Sequence, residues 1–157
     1  AAYTAMVEDK FVSWLPSYGP EMRGGTANCS VCIDSEPISC PLVLEPETLV
    51  VLNAPSYAKF VGTVPAGGKI FIDSALISDK CDREDIQAYY IPCTQISKDE
   101  GLDGLANIIM LGKVLRETGF TTFDVLCEAM KKCIPAKKAH LAEANLRALK
   151  LGYDYQD

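Results

Sequence analysis

The chain has 157 residues, about one domain's worth, with 48% hydrophobic and 23% charged residues, so it can bury a core and is not of disordered composition. Lys plus Arg is 15 against 21 Asp plus Glu, a net charge of −6, which argues against nucleic acid as a partner because non-specific binding needs a positive field. No window approaches the roughly 18 uninterrupted apolar residues of a membrane span, so no membrane partner is expected.

The opening AAYTAMVEDK carries Glu8 and Asp9, lacks the basic start of a secretory signal, and reads as the last turns of a helix. A doubly wound sheet usually places a strand and a glycine-rich turn before such a helix, and both are expected to be missing here. FVSWL at 11–15 is a short apolar run that Pro16 should end, and 17–25 is rich in turn residues. Residues 27–33 read as a strand stopped by the turn Asp34-Ser35-Glu36-Pro37. LVVL at 49–52 lacks alternation, as in a strand buried on both faces, and 55–61 reads as a short helix with Asn53 or Ala54 near its start. Two more strands are predicted at 69–73 (KIFID) and 88–91, the first entered by the turn Pro65-Ala66-Gly67-Gly68.

Beyond residue 100 the spacing becomes helical. Leu105, Ile108, Ile109, Leu111, Val114 and Leu115 share a wide apolar face that Gly119 ends. Thr121 with Asp124 forms a capping box for a helix ending near Cys133. Pro135 suits the first turn of a last helix, with Ala142, Leu146 and Leu149 on one face and Gly152 at the C-cap. The order predicts a single α/β domain over 1–157, a three-layer α/β/α sandwich with a mostly parallel, Rossmann-like sheet.

The densest motif is Tyr18-Gly19-Pro20-Glu21-Met22-Arg23-Gly24-Gly25, with Asn28 close behind. Pro20 fixes φ, the glycines allow close backbone approach, and Glu21 and Arg23 put a carboxylate and a planar guanidinium in one loop. In open α/β sheets ligands lie beyond the carboxyl ends of strands, which is where this loop is expected. Arg23 can grip a phosphate or carboxylate, pair with Glu21, or hold a neighbouring subunit. A plain glycine-rich turn between two strands accounts for the same spacing.

The seven cysteines, an odd number without a secretory signal, read as free thiols in a reducing cytoplasm, one suited to little oxygen. Cys29-x-x-Cys32 is half of a metal set, but Cys40, Cys81 and Cys93 are too irregularly spaced to complete it. On a strand the pair would also face opposite ways. No metal is expected in this chain, and buried or half-buried thiols are the reading. His140, the one histidine, sits beside Lys137 and Lys138 and reads as a surface residue. Residues 130–150 carry Lys131, Lys132, Lys137, Lys138, Arg147 and Lys150 against Glu143, a solvated helix face or a patch that steers acidic partners.

SWLPSYGPEMRGGTANCSV at 13–31 closely resembles the gamma subunit of 2-oxoacid:ferredoxin oxidoreductases. The similarity continues through Pro37, Ile38, Pro41, Leu42, Leu52-Asn53-Ala54-Pro55-Ser56, Lys59-Phe60, Pro65 and Gly67-Gly68. It returns at Ala106-Asn107, Leu111-Gly112, Gly119, Asn145-Leu146 and Gly152-Tyr153, so it spans nearly the whole chain in order. Members of that family usually begin with a strand and a GxGGQG turn, which this sequence lacks. The resemblance implies a subunit of an enzyme that oxidatively decarboxylates a 2-oxoacid (pyruvate, 2-oxoglutarate or 2-ketoisovalerate), passes the acyl group to coenzyme A and sends electrons to ferredoxin. It implies alpha, beta and ferredoxin-like partner subunits, with thiamine diphosphate, magnesium and iron–sulfur clusters on those partners. This chain, with no catalytic residue of its own, would be structural or lie on the coenzyme A side, and inactive alone. Two other readings are a stand-alone nucleotide- or CoA-binding α/β module using the Arg23 loop, and a small redox or metal protein built on Cys29 and Cys32.

Overall fold

The structure, a computed structural model, describes residues 1–17, 26–134 and 141–156. The chain divides into two compact units. The first holds the described residues of 1–44 and 121–134, and the second those of 45–120 and 141–156.

In the first unit, helix α1 (Ala2–Val7) turns through Asp9 at φ 54°, a left-handed value that aspartate tolerates better than most side chains, into strand β1 (Phe11–Ser17). Strand β2 (Asn28–Asp34) pairs with β1 antiparallel, from Phe11↔Asp34 to Ser17↔Asn28. Pro16 does not end β1 as expected; it pairs with Cys29. Both strands of a two-stranded sheet are edges, and an edge is where proline's missing N–H is tolerated. Helix α5 (Phe123–Cys133) packs with α1. Its cap is not Thr121 but Thr122, whose hydroxyl accepts from the Val125 amide at 3.3 Å. Thr121 instead donates to the Glu8 carboxylate at 2.7 Å, and Glu8 also pairs with Lys10 at 2.8 Å. Hydrogen bonds from Lys10 and then Thr121 hold the Glu8 carboxyl below the usual glutamate range.

The second unit is built on a parallel sheet of order β3-β4-β5: Thr48–Val51, Lys69–Asp73 and Gln87–Ile91. KIFID is its central strand, and Ile70, Phe71 and Ile72 are all 0% exposed. LVVL, with the same apolar run, is the edge, so it is not buried on both faces: Val51 is buried but Val50 is 42% exposed. Helix α2 (Ala54–Phe60) is capped by Asn53, whose side chain accepts from the Ser56 amide at 2.8 Å, with Pro55 in its first turn. Sequence spacing does not anticipate α3 (Cys93–Asp99). Helices α4 (Ala106–Thr118) and α6 (Ala142–Asp154) follow, and Gly119 ends α4 at φ 61°.

Two apolar clusters lie on opposite faces of β4. Phe71 packs with Ile91, Ile109, Met110 and Ala148 under α4 and α6, and stacks on Tyr89 at 4.9 Å between ring centroids. Ile70 and Ile72 pack with Val51, Tyr57, Val64 and Ile77 on the α2 side. Helices, sheet, then helix and loop make the layered α/β arrangement expected. Pro135 lies outside the described residues, and Gly152 is not a cap: α6 runs past it to Asp154. Gly152 is where α6 crosses α4. A Cβ there would lie 1.7 Å from the Ile109 carbonyl oxygen, and one on Gly112 would lie 2.1 Å from that of Leu149.

Two outcomes follow. Gly152→Ala or Gly112→Ala must force the helix backbones apart, and either should lower the free energy of unfolding in denaturant by roughly 3 kcal/mol. Gly62→Ala, with nothing within 4 Å of the added Cβ, should stay within about 0.5 kcal/mol. Because the Glu8 pKa is depressed in the fold, its contribution is present above the ordinary glutamate range and is lost as pH falls through the depressed value. A Glu8→Gln chain should therefore melt below the parent at neutral pH, and the gap in Tm should close on acidification.

Candidate functional site

Tyr18, Gly19, Pro20, Glu21, Arg23, Gly24 and Gly25 lie outside the described residues. The structure describes the frame that carries them. Ser17 and Asn28 are cross-strand partners, and such partners lie about 5 Å apart. The segment 18–27 therefore leaves β1 and returns to β2 on neighbouring positions. Its flanking strands pair antiparallel with each other and are not part of the parallel sheet. Asn28, the described member of the candidate set, is exposed and shares a face of the hairpin with Ser30, Cys32 and, across the ladder, Ser17.

The carboxyl end of the parallel sheet is instead formed by Asp73 and the start of α3. Asp73 is 1% exposed. Its carboxyl group accepts from the Ala75 amide at 3.1 Å, the Thr94 amide at 3.2 Å and the Thr94 hydroxyl at 2.6 Å. These bonds clasp the turn after β4 to the turn after β5, so the group orders backbone. Cys93 beside it is wholly buried, and burial, with the nearby Asp73 charge, pushes its thiol well above the usual range. A thiol held neutral is no nucleophile. Neither Asp73 nor Thr94 stands out in the sequence; an acid closing a buried strand was the available signal.

The loop 74–86 is pinned in a similar way. Arg83 donates to the carbonyls of Val61 at 3.1 Å and Val64 at 2.7 Å while its Nε bonds Asp85 at 2.9 Å. The Cys81 amide donates to the Tyr90 hydroxyl at 2.8 Å. Burial, with Cys81 beside it, pushes the Tyr57 phenol up to about 12. Lys113 is 4% exposed, yet its ammonium reaches the Glu117 carboxylate at 3.0 Å and the Tyr155 carbonyl at 3.2 Å.

Cys29 and Cys32 lie on β2 three residues apart, Cys29 exposed and Cys32 half-buried, and so face opposite sides. Among the described residues no three His, Cys, Asp or Glu side chains gather as metal ligands would, so these residues do not fit a metal ion or an iron–sulfur cluster. Of the basic residues, Lys137, Lys138 and His140 lie outside the described residues. Lys131 and Lys132 belong to the first unit, where Lys132 pairs with Glu128 at 2.8 Å. Arg147 and Lys150 belong to the second, in an open cleft of about 370 Å³ with Leu151, Asp154 and Tyr155, and Arg147 is paired with Glu100. No described helix is long and apolar enough to cross a membrane.

The pyruvate ferredoxin/flavodoxin oxidoreductase family matches residues 1–155. The ketoisovalerate oxidoreductase subunit VorA of Methanothermobacter marburgensis is 36% identical over 98% of this chain, which spans 32% of that protein. The 2-oxoglutarate synthase subunit KorC of Methanocaldococcus jannaschii is also 36% identical, over 96% of this chain and 80% of its own length. The crystal structure of the keto/oxoacid ferredoxin oxidoreductase gamma subunit from Geobacter sulfurreducens superposes with a TM-score of 0.80 at 25% identity, covering 98% of this chain and 85% of that one. The chain belongs to the pyruvate ferredoxin/flavodoxin oxidoreductase family.

Proposed function

We propose that this chain is the gamma-type part of a 2-oxoacid:ferredoxin oxidoreductase. The observation that carries the reading is the family match over residues 1–155, which takes in the loop, the hairpin and both apolar clusters. In the reaction the 2-oxoacid loses its carboxylate as carbon dioxide, its acyl group passes to the thiol of coenzyme A, and two electrons reduce ferredoxin. Thiamine diphosphate, magnesium and iron–sulfur clusters supply that chemistry on alpha, beta and ferredoxin-like partners. This chain contributes surface and shape. Exposed Phe11 and Trp14 on β1, and Leu42 and Leu44 after it, suit a surface that another subunit covers. The Arg23 guanidinium, in the loop between β1 and β2, anchors a carboxylate or phosphate of coenzyme A or of a neighbouring subunit. A cytoplasmic location accompanies this reading.

Co-expression with the alpha, beta and ferredoxin-like chains tests it. The chain should co-purify with them, and the complex should reduce ferredoxin in the presence of a 2-oxoacid and coenzyme A, whereas the chain alone should not. Arg23→Ala should weaken assembly or CoA-dependent turnover tenfold or more, and Lys132→Ala, on an exposed helix face, should leave both unchanged. Failure to co-purify would refute the subunit reading. An unaltered Arg23→Ala complex would reduce the loop to a turn.

A further inference from the structure

The described residues of the two units bury apolar side chains to very different extents. Among the described residues, the two clusters of buried hydrophobic residues lie in the second unit, one around Phe71 and one around Ile70 and Ile72. Among the described residues of the first unit, the buried apolar side chains are Ala5, Leu126, Ala129 and Met130, and two of these four are alanines. The sheet of that unit is two-stranded, a size that is marginal by itself in water. Tyr3, Met6, Phe11, Trp14 and Leu44 of the same unit remain exposed. The unit also joins segments distant in sequence, since α1 packs with α5 and Glu8 bonds Thr121, so its loop-closure entropy is offset by few buried groups.

We propose that the first unit is a separate cooperative element of low local stability, opening while the parallel sheet and the α4–α6 crossing stay folded. Its opening separates α1 from α5 and releases the β1–β2 hairpin, the part of the chain from which residues 18–25 depart. The hairpin is thereby free to be reshaped by whatever it meets, without disturbing the core around Phe71. The proposal concerns the chain by itself, because it rests on the burial among the described residues of each unit.

Hydrogen exchange followed by mass spectrometry on the full 157-residue chain, in rising urea below the unfolding transition, tests the proposal. Peptides from α1, β1, β2 and α5 should exchange as a group, about a hundredfold faster than the β4 peptide and with a shallower urea dependence. Met130→Ala, which removes the largest buried side chain of α5 after Leu126, should speed that group about tenfold and leave β4 and β5 unchanged. If the variant's first unit is already exchanged at the earliest time point while β4 stays protected, the proposal stands. If β1 and β4 exchange at one rate with one urea slope in the parent chain, or if Met130→Ala speeds β4 as much as β1, the proposal is overturned.

Discussion

Two helix backbones touch where α4 crosses α6, and the second unit is arranged around that contact. Gly112 and Gly152 leave no side chain between the helices, so the Ile109 and Leu149 carbonyls occupy the space that methyl groups would take. The close approach brings Ile109, Met110 and Ala148 onto Phe71, which is buried from this side by α4 and α6 and supported by the stacked ring of Tyr89. It also brings the cations of α4 to the carboxyl end of α6: Lys113 donates to the Tyr155 carbonyl, and Arg116 donates to that of Tyr153 at 3.4 Å. Positive charge at a helix carboxyl terminus offsets the partial negative charge of its last carbonyls. Lys113 tolerates its burial because Glu117 and that carbonyl replace water around the ammonium.

Local patterns in the sequence were sufficient for most elements and insufficient for their neighbours. KIFID and LVVL look alike as apolar runs, and only the sheet order makes one central and the other an edge. A glycine near the end of a helical pattern reads as a cap, yet Gly152 is needed for a partner some forty residues earlier, a relation that periodicity cannot express. Thr121 and Thr122 are adjacent and chemically identical, so which one caps the helix and which one donates to a carboxylate depends on Glu8, far away in the chain. Helix α3 escaped notice because Cys93-Thr94-Gln95 has no apolar period; its first turn is held by Asp73.

The candidate site was legible in a different way. Spacing alone could not separate an anion-gripping loop from a turn at residues 18–25, and it was the similarity of the whole stretch 13–31 to known gamma subunits that pointed to an oxidoreductase. The described frame adds that the strands on either side of residues 18–25 pair antiparallel with each other, with Asn28 opposite Ser17. The place where a doubly wound sheet would hold a ligand is taken up by the Asp73 clasp and a neutral, buried Cys93. An acid and a hydroxyl that the sequence does not single out act there as fastenings.

Pro16 has a bearing on what happens when the hairpin meets other chains. A sheet edge with a full row of N–H and C=O groups is a template for further strands, and one flanked by Phe11 and Trp14 would be a sticky one. Proline leaves β1 with one N–H fewer at the end nearest residue 18, because its nitrogen has no hydrogen to offer. The hairpin thus keeps Phe11 and Trp14 exposed on a strand that has one group fewer for the runaway strand stacking of amyloid.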